Sequence, residues 1–458
     1  MLDNIMIRLA YIGAFVLAAS LGLASCASAA SSTPAASSAS AASSTPAANF
    51  GFSYVSAYGT NGLSQPYVGP TATGQSYGTG VAVGLNDPSQ KVYSLVEANA
   101  NTGVGGCRGC FPASSSTTPP KTTSPSYLGP YYVVRRTSSG AIDTAFGANG
   151  YVNAFYASDD KNYKFTSLCI APGSGNIIIV GQETTSSGAA GVIERLLPPA
   201  RGSGTARLDT SLNSRGATPG IVTIATPGGN NSPTLYGCAV SGNGTIYVGG
   251  VDDAASSSLL VAAKINSTGS LDSSFGSGGI AELPVESVNG SGASAEVTNV
   301  SVNDAESNFP DMILSGFSFT KGAKQGSSSK ATAMMVAVND RTGALDTNFN
   351  GTGELINANY GEAVLGRISS QGSTATDLYV VYGTPRTDAT AIVGYPITGA
   401  VPDTSKPTTS QTGTFTVPSG FASAQGYTVN SRGQILVSGD TSSNAETLTA
   451  IGGSSVLG

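Results

Sequence analysis

The chain contains no histidine and no tryptophan, and only 10% of its residues are charged. Without histidine there is no Ser-His-Asp or Cys-His arrangement, no imidazole metal site, and no usual general base near neutral pH. The scarcity of charge, with a net value of −6, leaves none of the basic surface that a nucleic-acid partner needs to neutralise phosphates. No Gly-rich loop carries the lysine of a phosphate cradle, and no serine sits in a nucleophile elbow. What the 458 residues do have is glycine, 60 of them, together with abundant Ser and Thr. Such a composition favours many short strands joined by turns, and an all-β repeat fold can occupy this length as one domain.

The N-terminus reads as an address. Leu9 to Leu23 is an uninterrupted apolar stretch, long enough for a signal h-region and short for a membrane span. Arg8 precedes it, opposed by Asp3, and Met6 offers an alternative start with a cleaner n-region. Leu23-Ala24-Ser25-Cys26 then resembles the bacterial lipobox, in which small residues precede a cysteine that is acylated and exposed by cleavage. The alternative is an ordinary signal peptide cleaved at Ala-Ser-Ala around Cys26 to Ala30. Two or three acyl chains on Cys26 would give a stable membrane anchor, where one would hold only marginally. Ala27, rather than Asp, follows the cysteine, which in lipoproteins implies the outer membrane where the host has one. Residues 1–25 are thus expected to be a lipoprotein signal peptide. Residues 26–48, almost purely Ala, Ser, Thr and Pro after the cysteine, are expected to form a disordered tether.

The remainder, 49–458, repeats itself. Gly140-Ala-Ile-Asp143-Thr-Ala-Phe146-Gly-Ala-Asn-Gly150 returns as Gly269-Ser-Leu-Asp272-Ser-Ser-Phe275-Gly-Ser-Gly-Gly279. It returns again as Gly343-Ala-Leu-Asp346-Thr-Asn-Phe349-Asn-Gly-Thr-Gly353. Ala206-Arg-Leu-Asp209-Thr-Ser-Leu212 through Gly216 is a worn copy, and a fainter one begins at Gly399. Between copies lie a hairpin whose second strand ends in glycine, as at Gly181, Gly249 and Gly316, and a third strand such as Tyr131 to Arg135 or Leu259 to Lys264.

These motifs resemble the delta-60 repeat family, whose units carry a Leu-Asp-x-x-Phe-Gly-x-x-Gly signature over roughly Phe50 to the C-terminus. The resemblance implies a β-propeller. The residues read alone agree, because each unit offers about four short strands at blade-like spacing, and a lone blade cannot bury both of its faces. Six units are centred near 80–96, 165–181, 236–249, 298–316, 364–383 and 424–439, with seven blades the alternative because the fifth and sixth units are irregular. The last unit lacks a Phe-Gly segment, while Tyr54 to Gly62 looks like an orphan copy with Tyr58 in the Phe place. The two termini are therefore expected to share one blade and close the ring. Asp143, Asp209, Asp272 and Asp346 are read as turn caps rather than calcium ligands, and Phe146, Phe275 and Phe349 as plugs between blades.

Other candidates stay open or structural. Residues 99–126 form a long Gly- and Ser/Thr/Pro-rich insertion holding Cys107-Arg-Gly-Cys110. In an exported protein this pair defaults to a local disulfide, with half of a zinc site or a redox motif as alternatives. Cys169 and Cys238 occupy matching strand positions in neighbouring units and read as small buried core residues. A disulfide between them needs Cα atoms within about 7 Å. Arg135, Arg136, Arg195 and Lys264 are expected to pair with turn aspartates of neighbouring units, and Asp252-Asp253 to be solvated loop charges. No cofactor and no metal is expected. The functional expectation is a membrane-tethered, non-catalytic binding or scaffold module in the cell envelope, exposed to an envelope protein or polysaccharide. The alternatives are a glycan-active enzyme using two loop carboxylates roughly 5–10 Å apart, or a structural surface protein.

Overall fold

A computed structural model describes most residues between Ser53 and Gly452. Residues 1–52, 65–75, 99–130 and 453–458 lie outside the described residues, as do shorter stretches in the connecting loops. The signal segment, Cys26, the tether, Cys107 and Cys110 therefore fall outside the description.

The described residues form strands and turns arranged in six sheets. N-terminal β1 (Ser53–Tyr54) belongs to the last of them. The first blade is β2 (Ser76–Val83), β3 (Val92–Ala98), β4 (Tyr131–Arg136) and β5 (Tyr151–Asn153). The second is β6 (Asn162–Ile170), β7 (Ile177–Thr185) and β8 (Gly188–Leu197), with β9 (Arg207–Leu208) and β10 (Ile221–Ile224) both against β8. The third is β11 (Thr234–Val240), β12 (Ile246–Asp252), β13 (Leu259–Ile265) and β14 (Ile280–Pro284). The fourth is β15 (Ala293–Val302), β16 (Met312–Thr320), β17 (Thr332–Val338) and β18 (Glu354–Asn357). The fifth is β19 (Glu362–Gln371), β20 (Thr374–Gly383) and β21 (Ala389–Thr398), with β22 (Val401–Pro402) and β23 (Thr409–Thr412) against β21. The sixth is β24 (Phe421–Val429), β25 (Ile435–Thr441) and β26 (Glu446–Gly452), completed by β1. This is a six-bladed β-propeller, and all strand pairs are antiparallel.

The burial pattern explains why these short runs become strands. β12 and β17 are buried at every position, as expected of a middle strand sandwiched between two neighbouring blades. Outer strands such as β10 show an exposed position among buried ones. The larger apolar clusters run between blades. One joins Leu95, Val133 and Phe146 of the first blade to Phe165, Ile177, Ile179 and Leu196 of the second.

The termini close the ring as the repeat arithmetic predicts. Ser53 pairs with Gly452 and Tyr54 with Ile451. Ser64 then lies on β26, where its hydroxyl accepts the Leu448 amide at 2.8 Å and its amide donates to the Leu448 carbonyl at 2.8 Å. Tyr58 is buried in the Phe place, and the Gly59 amide donates to the Ser139 carbonyl at 2.7 Å. The bond recurs elsewhere in the ring, from Asn213 to Thr268 and from Gly276 to Thr342. The orphan copy thus does for the closing blade what complete copies do for theirs.

Candidate functional site

The innermost strands β2, β6, β11, β15, β19 and β24 surround the axis, and each is hydrogen-bonded on one side only within its sheet. Each carries a matching register irregularity, at Gly78/Gly80, Phe165/Ser167, Leu235/Gly237, Val297/Asn299, Ala363/Leu365 and Ala424/Gly426, and β19 and β24 carry a second. A β-bulge adds a residue, bends the strand and increases its twist. The residues after the bulge line an axial cavity of about 290 Å³, to which every blade contributes. Close approach of the strands explains the small residues there. A Cβ on Gly80 would lie 3.0 Å from the Ser167 Cα, and one on Gly426 would lie 3.0 Å from the Gly80 Cα.

Among the described residues, the wall of this cavity carries no Asp, Glu, Lys or Arg. Its polar side chains are Ser167, Thr298, Asn299, Ser301, Tyr427 and Thr428. The Thr298 hydroxyl is already committed, shared between the Ser315 carbonyl at 3.1 Å and the Ala363 carbonyl of the next blade at 2.8 Å. Cys169 and Cys238 also line the cavity, and their sulfurs are bonded, with Cα atoms 5.8 Å apart. Both are buried core residues as expected, and the disulfide left open by the sequence forms between them. Matching positions in consecutive blades place two inner strands within disulfide reach, a distance that sequence spacing cannot supply.

The repeat motifs lie apart from the cavity, in the connections between the third and outer strands. Asp143 Oδ1 accepts the Ala145 amide, and Asp209, Asp272 and Asp346 accept the amides of Ser211, Ser274 and Asn348 in the same way. These are Asx caps two residues along the chain. The cations pair mainly within their own blade rather than between units, Arg135 with Asp143 at 3.0 Å, Arg195 with Asp209 at 2.8 Å and Lys264 with Asp272 at 3.3 Å, while Lys264 also meets the turn residue Asp340 of the next blade at 3.6 Å as expected. The reason is register, because the amides of Asp143, Asp209 and Asp272 donate to the carbonyls of Arg135, Arg195 and Lys264 themselves. Partial burial works against ionisation of Asp143 and Asp209, but the hydrogen bonds and cations around them outweigh it and hold both carboxyls below the usual range. The Ser274 hydrogen bonds do the same for Asp272. Phe146, Phe275 and Phe349 are almost completely buried, each in a cluster shared with the following blade, and Leu212 takes that place in the worn copy. Arg136 departs from the pattern and forms a fully buried pair with Glu446 across the closing seam, at 2.5 Å.

The carboxylates with raised pKa lie elsewhere. Burial raises Glu282, and the nearby charge of Asp252 raises it further. Asp252 was expected as a solvated loop charge. It is instead fully buried, accepting the Thr226 hydroxyl at 2.7 Å and the Ser232 amide at 3.3 Å. It sits at the end of β12 remote from Ile246, and so at the opposite end of the blade from the cavity-lining Val240. The sequence gave no warning of this burial, because the partner threonine lies 26 residues away. Among the described residues, no group of three or more His, Cys, Asp or Glu side chains is placed to hold a metal ion.

Neither a protein-family model nor a curated protein matches the sequence. Among solved structures, the crystal structure of polysaccharide lyase Uly1 aligns over 81% of this chain and 76% of that chain, at 10% identity and a TM-score of 0.39. So loose a likeness carries no argument about activity.

Proposed function

We propose that the protein is an exported lipoprotein, anchored through Cys26 and the 26–48 tether, whose delta-60-type propeller acts as a non-catalytic binding or scaffold module in the cell envelope. The observation that carries this reading is the axial cavity, to which all six blades contribute and whose described lining residues are small, apolar or uncharged polar ones. The described lining residues, Tyr427 apart, offer hydrogen-bonding and apolar surface rather than acid–base groups. The Cys169–Cys238 disulfide suits the oxidising compartment that an exported chain enters. Envelope proteins or polysaccharides are the expected partners.

The test is affinity capture of the detergent-solubilised full chain from its native envelope, with a Cys26→Ala form as control. The expected result is a specific partner retained by the lipidated chain and depleted from the control. Equal soluble behaviour of the two forms, with no acyl label on the parent, would remove the anchor from the account.

Glu282, raised by burial and by the neighbouring charge of Asp252, favours a second reading, a glycan-active enzyme, because a carboxyl kept protonated beside a second carboxyl is how acid and base roles are separated. That reading requires turnover of an envelope polymer that Glu282→Gln abolishes.

A further inference from the structure

We propose that the Cys169–Cys238 bond is installed before the ring closes, by a protein partner of the thiol–disulfide oxidoreductase class acting on the open chain; this rests on the reading that the chain is exported. The first argument is access. Cys169 lies on β6 and Cys238 on β11, the innermost strands of the second and third blades. Both residues are buried, and both line the axial cavity that the inner strands surround. A volume of about 290 Å³ stands at the small end of ligand pockets. It has room for a small molecule and none for a folded protein. Thiol–disulfide exchange passes through a mixed disulfide, so the sulfurs of chain and oxidant must meet. In the closed ring a protein oxidant cannot bring its sulfur to either cysteine.

The second argument is order of assembly. The contacts that hold Cys169 against Cys238 come from the second and third blades alone. Ile178, Val180 and Ile193 of one pack with Leu235, Val248 and Val261 of the other. The Thr166 hydroxyl donates to the Leu235 carbonyl. Arg195 Nη1 donates to the Ser267 carbonyl at 2.7 Å, and the Asn213 amide to the Thr268 carbonyl at 2.6 Å. All of these groups lie within β6 to β14, residues 162–284. The strands that close the ring, β24 to β26, lie within residues 421–452 and pair with β1 at the last blade. A chain that appears N-terminus first therefore brings the two cysteines together while the axis is still open on the side of the later blades.

The chemistry is a two-electron oxidation. The thiolate of one cysteine attacks the oxidant's disulfide, forming a mixed disulfide and releasing one thiolate of the oxidant. The second cysteine's thiolate then attacks the mixed disulfide, which forms the Cys169–Cys238 bond and releases the oxidant as a dithiol carrying both electrons and both protons. The finished bond ties two neighbouring inner strands before the fourth, fifth and sixth blades dock beside them.

The experiment uses the full chain carrying Cys26→Ser, Cys107→Ser and Cys110→Ser, which leaves Cys169 and Cys238 as its cysteines. A purified disulfide oxidoreductase in its oxidised form is added either as the reduced, denatured chain begins to refold or after it has refolded with its thiols reduced. Thermal melting verifies folding, and alkylation with mass spectrometry follows the remaining thiols. Complete bond formation is expected in the first case, and oxidation at least about tenfold slower in the second. Equal rates overturn the inference. Should the reduced chain fail to refold, the native oxidised chain is treated with a protein dithiol and with dithiothreitol, matched in rate on an exposed model disulfide. Dithiothreitol is then expected to reduce the bond at least about tenfold faster, and equal reduction by the protein dithiol overturns the inference. Neither result alters an acyl label on Cys26 of the parent chain, so the export and anchor reading stands or falls separately.

Discussion

The residue after each plug shows how single positions hold the repeat together. Gly59, Gly147, Asn213, Gly276 and Asn350 all have φ between 51° and 61°. This left-handed region suits glycine and is tolerated by asparagine, whereas a β-branched side chain there is strained. Asn213 of the worn copy and Asn350 of the third are therefore conformational equivalents of the glycine. Asn213→Gly should leave stability nearly unchanged, and Asn213→Val should cost about 1–2 kcal/mol, as denaturant unfolding would show. The Leu-Asp-Phe-Gly pattern was legible because backbone geometry restricts these positions to few residue types. Glu194 was not legible, since a glutamate in an apolar strand ordinarily marks an exposed face. It is instead buried, neither carboxylate oxygen has a partner, and burial raises its pKa well above the ordinary 4.5. The folded state then keeps a proton that the unfolded chain releases above pH 4.5, so stability falls as pH rises past that value. Glu194→Leu should gain about 1–3 kcal/mol at pH 7, and the gain should shrink at pH 4. An equal gain at both pH values would refute this account of the residue.

At the level of strands and hairpins, the bulge is the device that the sequence concealed. Its extra residue is threonine in three blades, Thr79, Thr166 and Thr298, and Tyr236, Val364 and Gln425 in the others. No shared letter marks it. The hydroxyls of Thr166 and Thr298 each reach one carbonyl in their own blade and one in the next, Leu235 and Ala363 respectively. The indirect trace is the glycine in the middle of the second strand. Gly316 stands opposite Val297, just before the bulge, and a Cβ there would fall 1.9 Å from the Glu296 carbonyl oxygen. The hairpin glycines were visible as a recurring feature, but the collision that requires them was not. Thr298→Val keeps the shape and removes the hydroxyl, so it should cost about 1 kcal/mol; Gly316→Ala should cost more, through overpacking, at about 1–3 kcal/mol. Chemical denaturation of the two variants tests both magnitudes and their order.

For the molecule as a whole, the closing seam decides whether six blades form a ring. β1 supplies the outer strand of the sixth blade, and Asp440 Oδ1 accepts the Gly78 amide across the junction at 2.9 Å. The Arg136–Glu446 pair crosses the same junction with both side chains fully buried, and Arg136 also donates to the Ser94 hydroxyl at 2.8 Å. Glu446→Ala leaves a buried guanidinium uncompensated and should cost about 3–5 kcal/mol. A volume-matched apolar replacement of both partners should recover much of that loss, since desolvating two charges offsets most of their attraction. Recovery absent in the double variant would assign the pair a larger net contribution than this. The ring, its blade number and its closure were readable because repeats count themselves. The axial cavity and the Cys169–Cys238 bond were not, because both arise where strands from different blades converge. The most direct test of a non-catalytic binding role is to incubate the purified full chain with isolated envelope polymers and measure retained polymer and released product together. The account predicts saturable retention with no product above the protein-free control, whereas soluble product that disappears with Glu282→Gln would contradict it.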